Sequence, residues 1–394
     1  MNYLGHPQAA LEAARGIWTA REISQQPVVW AKIDAAMGGA ASATQAFLAP
    51  LLARRDLRIV LTGAGTSAFV GECLAAPMRR TTQLRVDAVA TTDLVGSPAS
   101  YLDRGVPTLL VSFARSGNSP ESLAAVSLAE QYVEDCHHLI VTCNAGGELY
   151  GKGQRLRNAH LLLLPEETND RGFAMTSSFT GMMLATSLAF VLLGKDRPQT
   201  LAHLAAGVLE TRMPYITDLA RTGFERVVYL GGQEFKGLAR EAALKMLELS
   251  DGKVVALAET PLGFRHGPKT IVNGKTLVVM FVSNDPYARQ YEMDLLRELR
   301  SDAVAGRVVA LSANDTTAGH EGQAPQEDWI AIPAPPQTSN LGLCFPYVVF
   351  AQSLAFLQSL TLGLRPDTPN ARGVVNRVVQ GVTIYPWNPS EEPV

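Results

Sequence analysis

Short runs of aliphatic and β-branched residues punctuate the chain, each closed by glycine, serine or proline. Arg58-Ile-Val-Leu-Thr62 leads into Gly63-Ala64-Gly65, and Thr108-Leu-Leu-Val-Ser-Phe113, His138-Leu-Ile-Val-Thr142 and Leu161-Leu-Leu-Leu-Pro165 follow. Continuous apolar runs of this kind suit parallel strands buried on both faces, and the longer mixed segments between them suit right-handed helical crossovers. The pattern then restarts. Arg226-Val-Val-Tyr-Leu-Gly-Gly232 and Thr276-Leu-Val-Val-Met-Phe281 each stand 168 positions after their counterparts, and Arg307-Val-Val-Ala-Leu311 and Trp329-Ile-Ala-Ile-Pro333 stand 169 and 168 after theirs. A long apolar helical segment closes each set, and both contain Ser-Leu-Ala-Phe, at 187–190 and 353–356. An offset held between 166 and 169 predicts a duplicated unit.

The expected fold is therefore α/β: two tandem doubly wound parallel-sheet lobes, flavodoxin-like three-layer sandwiches, over 51–215 and 216–365. Residues 1–50 read as a helical arm. Thr19-Ala-Arg-Glu22 has the form of a capping box, and Pro27 would interrupt that helix early. Residues 366–394 read as a tail with one strand-like run, Gly381-Val-Thr-Ile-Tyr385.

Composition narrows the class. The 394 residues are 47% hydrophobic with a net charge of −3, and the pI is about 6.2. That supplies a large core and no bulk attraction to nucleic acid or membrane. Cys73, Cys136, Cys143 and Cys344 lack CxxC spacing and read as buried reduced thiols of a cytoplasmic protein. The first residues, with His6, Glu12 and Arg15, show no apolar signal core. Phe179–Gly194 is too short to span a membrane. Leu341–Leu364 carries Pro346, Gln352, Ser353 and Gln358. Both read as buried helices.

Ligands of doubly wound sheets sit at the carboxyl ends of the strands, and two polar turns fall there. Gly63-Ala-Gly65-Thr66-Ser67 joins a strand to a helix expected near Ala68. Its glycines let backbone approach a ligand, and free N–H groups at the helix start favour an anion. It has neither the Gly-Lys-Ser/Thr of a Walker loop nor the third glycine of a dinucleotide fingerprint. Alone it serves equally well as a plain helix cap. The second turn is Arg115-Ser116-Gly117-Asn118-Ser119-Pro120, with Pro120 in position for a first helical turn. Together the two turns form an uncharged cage for a monophosphate, Arg115 either adding charge or lying in solvent. The second copy has lost this pattern. Gly231-Gly232-Gln233-Glu234 lacks the Thr-Ser pair, and Ser283-Asn284-Asp285 places a carboxylate where a phosphate would be repelled.

Acid–base groups lie in the second copy. Phe235–Leu249 has helical periodicity, and Lys245 and Glu248, three apart, share a face. A surface ion pair is the bland reading of such a pair. Thr260-Pro-Leu-Gly263 then breaks regular structure, and His266 follows between Phe264-Arg265 and Gly267-Pro268 on a shaped loop. A carboxylate and an imidazole 18 positions apart suit shared proton transfers on a sugar. The cysteines, histidines and carboxylates show no metal-ligand spacing, so neither metal nor cofactor is expected.

Gly-Ala-Gly-Thr-Ser, Ser-Gly-Asn-Ser and Arg-His-Gly-Pro resemble the SIS (sugar isomerase) superfamily along nearly the whole chain. They are similar to the isomerase half of glucosamine-6-phosphate synthase. The start Thr19-Ala-Arg-Glu-Ile-Ser-Gln-Gln-Pro27, the stretch Ala258-Glu-Thr-Pro-Leu-Gly-Phe-Arg-His-Gly-Pro-Lys269 and the tail Asn376-Arg-Val-Val-Gln-Gly-Val382 resemble the galactosamine-6-phosphate deaminase/isomerase group more closely. The resemblance implies that Thr66, Ser67, Ser116 and Ser119 bind the 6-phosphate, to which Gly65 and Arg115 are added as candidates from the two turns, that Glu248 moves the C2 proton, and that His266 opens the ring, usually across a dimer interface. It implies Lys245 beside the sugar hydroxyls or the glutamate, and a homodimer or dimer of dimers with shared sites. The synthase's tail lysine is matched here by Gln380, which weakens a Schiff-base mechanism. The implied reaction is deaminating isomerisation of galactosamine 6-phosphate to tagatose 6-phosphate and ammonia. The alternatives are a tagatose-6-phosphate aldose/ketose isomerase, a glucosamine-6-phosphate deaminase and, more distantly, a sugar-phosphate sensor. The near-neutral first 57 residues argue against the DNA-binding arm such sensors carry.

Overall fold

The computed structural model describes residues 1–313, 328–379 and 381–388. The chain divides into two compact units. The first lobe comprises Lys32–Asp170, Ser177–Leu192 and the tail from Gly373; the second comprises Met1–Ala31, Arg171–Thr176 and Leu193–Arg372.

A small hairpin, β1 (Asn2–Tyr3) and β2 (His6–Pro7), opens the chain, followed by α1 (Gln8–Ala13), α2 (Ile17–Ser24) and α3 (Gln26–Leu52). The capping-box expectation fails. Gly16 is the N-cap of α2 and Thr19 lies inside the helix. The Thr19 hydroxyl instead donates to Asp367 at 2.8 Å. The buried Glu22 carboxylate accepts the amides of Arg171 (2.5 Å) and Gly172 (3.1 Å). A buried carboxylate must be satisfied, and two amides of a neighbouring loop do so. Pro27 is the second residue of α3, where its missing N–H costs no hydrogen bond.

In the first lobe the order is β3 (Arg58–Thr62), α4 (Thr66–Thr82), β4 (Arg85–Ala88), α5 (Thr91–Gly96), α6 (Pro98–Tyr101), β5 (Thr108–Ala114), α7 (Pro120–Tyr132), β6 (Cys136–Thr142), α8 (Glu148–Arg155), β7 (Ala159–Leu163) and α9 (Ser177–Ala189). The strands form one sheet in the order β4-β3-β5-β6-β7, with every pairing parallel. All residues of β3 and β5 are buried, as strands covered on both faces must be.

Helices α10 (Pro198–Thr211) and α11 (Met213–Ala220) lead into β8 (Arg226–Leu230), α12 (Glu234–Leu249), β9 (Val255–Glu259), α13 (Pro261–Phe264), β10 (Thr276–Phe281), α14 (Pro286–Asp302), β11 (Arg307–Ala313), β12 (Trp329–Ile332) and α15 (Asn340–Thr361). The second sheet runs β12-β11-β10-β8-β9, the same order as the first when read from its other edge. Its pairings are also parallel. Both lobes thus have a switch point, between β3 and β5 and between β8 and β10, where flanking crossovers diverge and leave a crevice at the strands' carboxyl ends.

Both apolar segments of the sequence are buried helices. In α9 only Leu188 is not buried. Helix α15 is the one described helix long and apolar enough to cross a membrane, and it is buried almost throughout. The four cysteines are free and buried. The run from Gly381 to Tyr385 is not a strand; it has β-branched residues but no neighbouring ladder to join.

Candidate active site

In the first lobe, β3 ends in a turn that only glycine permits. A Cβ on Gly63 would lie 2.6 Å from Ser67 backbone, so this residue fixes how closely α4 approaches the strand. Gly65 has φ 55° and ψ −126° and leads directly into Thr66, the first residue of α4. The helix therefore starts two residues earlier than expected, placing Thr66 and Ser67 in its first turn. The Thr66 hydroxyl is buried with no hydrogen bond among the described residues, as is that of Ser112 near the end of β5. A buried hydroxyl without a partner costs roughly 1–3 kcal/mol, and both stand at the switch point.

The second polar turn follows β5. Ser119 is the N-cap of α7 and Pro120 its first residue. The Ser119 hydroxyl accepts the Ser122 amide at 3.3 Å and shares a 2.7 Å bond with the Ser122 hydroxyl. The Ser116 hydroxyl accepts the Asn118 amide at 3.3 Å, and its carbonyl accepts the Asn144 side chain at 2.8 Å. Gly147 is required here, because a Cβ would come within 2.5 Å of the Ser116 carbonyl oxygen. Arg115 does not lie in solvent. It is 7% exposed and donates to the Arg377 carbonyl at 2.5 Å.

In the second lobe, α12 carries Lys245 and Glu248. Lys245 is fully buried and paired with Glu248, whose side chain is 22% exposed. A second carboxylate, the fully buried Glu241, lies 3.7 Å from the same ammonium. This is no surface ion pair. The ammonium is held inside the protein between two carboxylates, and Glu248 is the one that reaches the surface. Sequence reasoning missed Glu241; its spacing four before Lys245 was the available signal.

His266 is exposed. The Thr260-Pro-Leu-Gly263 segment before it is not irregular. Thr260 caps the single-turn helix α13 by accepting the Gly263 amide at 3.1 Å. The residues flanking His266 fasten its loop to α14: Arg265 bonds Glu298 at 2.8 Å, and Lys269 pairs with Glu298 and, at 2.6 Å, with Asp302. These cations hold Glu298 below the usual carboxylate range, Lys269 foremost.

The second lobe's own switch point is filled from within. Gln233 occupies the place of Gly65 with nearly the same backbone, φ 53° and ψ −124°. Its side chain accepts from Asn340 at 2.9 Å. Asn340 also bonds the Ser283 hydroxyl at 2.8 Å and accepts the Asn284 amide at 2.9 Å. Asp285 caps α14, accepting the amides of Tyr287 and Ala288 at 2.9 Å each. Buried Glu292 takes the Ser283 amide at 2.7 Å, and burial pushes its carboxyl up to about 7.

Glu130, Cys136 and His138 come together although no ligand spacing marks them. His138 Nε2 lies 2.6 Å from Glu130 and 3.5 Å from Cys136 Sγ. Burial and the nearby carboxylates push the thiol up to about 12, and burial lowers the imidazole. Gln380 lies outside the described residues.

These two lobes have recognisable relatives. A family model for the SIS domain matches residues 51–192. The crystal structure of tagatose-6-phosphate ketose/aldose isomerase from Escherichia coli superposes with a TM-score of 0.88 at 42% identity, over 98% of this chain and all of that one. The chain is a SIS-domain protein, an α/β protein of paired parallel sheets. It is 46% identical over 378 residues to D-galactosamine-6-phosphate deaminase AgaS of Escherichia coli, spanning 95% of this chain and 97% of the relative. Against the protein of that name from Shewanella sp. it is 45% identical, spanning 94% and 92%. The chain belongs to the AgaS family.

Proposed function

We propose that this protein catalyses the deaminating isomerisation of galactosamine 6-phosphate to tagatose 6-phosphate and ammonia. The observation that carries the reading is the ion pair on α12: a carboxylate, Glu248, held by a buried ammonium yet open to the surface. Thr66 and Ser67 at the start of α4, with Ser116 and Ser119 after β5, hold the phosphate. Gly65 lets the backbone approach it. His266, free of side-chain hydrogen bonds among the described residues, assists opening of the ring to the aldehyde. Glu248 then takes the C2 proton, which the new carbonyl has acidified, giving an enolamine. Returning a proton at C1 gives the C2 imine, and water hydrolyses it to the ketose and ammonia. Lys245 holds Glu248 in place through their ion pair.

The crystal structure of a relative named as a ketose/aldose isomerase supports a second reading, the same proton transfer on a sugar without nitrogen. Assaying galactosamine, glucosamine and N-acetylgalactosamine 6-phosphates and tagatose 6-phosphate, with ammonium and aldose/ketose both measured, separates the readings. Equal ammonium and ketose from galactosamine 6-phosphate supports deamination; aldose/ketose interconversion without ammonium release from any substrate sinks it. Buried free thiols support a reducing, cytoplasmic compartment. The exposure of His266 supports a homodimer, or a dimer of dimers, in which it serves a partner's site; sizing in solution tests this.

A further inference from the structure

The C-terminal segment of the first lobe is tied down at two points. At one end Arg377 donates through Nε to the Asp170 carbonyl at 2.8 Å and through Nη2 to Asn169 Oδ1 at 3.0 Å. Its own carbonyl accepts the buried Arg115, the residue immediately before Ser116. Asp170 in turn accepts the amides of Ser177 (2.9 Å) and Ser178 (3.0 Å) at the start of α9. At the other end Trp387 stacks edge-on against Tyr132 at 5.2 Å and accepts from Gln131 at 3.0 Å, both on α7. Between the two ties, residues 382–386 border a groove of about 640 Å³ against α5, α6 and α7, where Glu121 lies two residues after Ser119. Val382, Ile384 and Tyr385 are exposed. With little packing beneath it, this stretch depends on its end ties for its order.

We propose that Arg377 is a positioning residue that fastens the tail to the phosphate-holding turn, so that phosphate binding and tail ordering favour one another. This rests on the reading that the Ser116 turn holds phosphate. A phosphate that fixes Ser116 and Ser119 also fixes Arg115, and with it the carbonyl that anchors the tail. The linkage is reciprocal: an ordered tail holds Arg115, and so the turn, in its binding form. Arg115 therefore acts on the phosphate through the backbone it shares with Ser116 and through Arg377. Lysine at 377 keeps the charge but cannot reach both oxygens with a planar fork.

The test compares wild type, Arg377→Ala and Arg377→Lys by hydrogen exchange of the tail peptide after Arg377, with and without inorganic phosphate, alongside KM, kcat and Tm. Phosphate is expected to slow tail exchange about tenfold in wild type and not in Arg377→Ala, whose tail exchanges fast throughout. KM for the sugar phosphate is expected to rise about tenfold in Arg377→Ala with kcat within about threefold, and Arg377→Lys to fall between. A merely structural arginine would lower Tm without making exchange insensitive to phosphate. The proposal is overturned if phosphate protects the tail equally in both proteins, or if KM does not move. If phosphate leaves even the wild-type tail unprotected, calorimetry with Ser116→Ala locates the failure. Phosphate binding lost in that variant overturns only the coupling; binding retained there overturns the phosphate reading beneath it.

Discussion

The two switch points share one sheet order and one backbone turn, yet offer opposite surroundings to an anion. In the first lobe, Gly65 precedes hydroxyl groups, two of which, on Thr66 and Ser112, are buried with no partner among the described residues. In the second, Gln233 adopts the same turn, and Asn340, Asp285 and Glu292 consume the donors that an anion would need. A crevice at a switch point is given by topology; whether it binds depends on whether the chain leaves its donors unspent. The second lobe instead carries the proposed acid–base groups, on α12 and on the loop after α13. The two sheets nonetheless share one strand order.

The largest effect is expected on α12. Glu248→Gln should lower kcat for ammonium release by about 10³- to 10⁴-fold, with inorganic phosphate still bound. Retained turnover would remove Glu248 from the proton transfer. Next come the hydroxyls. Ser116→Ala with Ser119→Ala should weaken inorganic phosphate binding about 10- to 100-fold, the loss expected if each hydroxyl donates to the phosphate as proposed. Ser283→Ala, the counterpart in the other lobe, should leave phosphate binding unchanged by calorimetry. An equal loss there would erase the contrast between the lobes.

Two stability measurements sharpen the contrast further. Gly65→Ala places a side chain where φ is positive and should cost about 1–3 kcal/mol in denaturant unfolding. Gln233→Gly relaxes the same strain while losing the Asn340 bond, and should come within about 1 kcal/mol of wild type. Glu292 gives a pH signature. Its carboxyl is raised in the folded protein, so the folded state keeps its proton longer than the unfolded chain. Its stabilising contribution is complete below the ordinary carboxylate range and is lost as pH climbs to about 7. Glu292→Gln should therefore gain on wild type by about 1–3 kcal/mol at pH 8 and show no such gain at pH 4.

How much of this was legible in the sequence depends on how many jobs each residue does. The interior strands β3, β5, β8 and β10 were readable because burial on both faces leaves only apolar choices. The edge strands β4 and β9 were not: Arg85, Asp87 and Glu259 break the apolar run. The glycine turns and the Ser119-Pro120 cap were legible because few residues meet their geometry. Thr19 and Glu22 misled because a local capping pattern served distant partners, Asp367 and the amides of Arg171 and Gly172. Arg115 was half read: its charge suggested an anion, but its partner is a carbonyl 262 residues away. The Glu130–Cys136–His138 cluster was invisible for the same reason, being defined by burial and approach rather than by motif, and Glu241 left only its spacing from Lys245 as a signal.

The central claim is that one lobe alone holds the phosphate. Isothermal titration of the purified protein with inorganic phosphate, for wild type, the Ser116→Ala/Ser119→Ala double variant and Ser283→Ala, tests it most directly. The expected result is one phosphate per chain in wild type and Ser283→Ala, and none at the same concentrations in the double variant. Two phosphates per chain, or undiminished binding by the double variant, would contradict it.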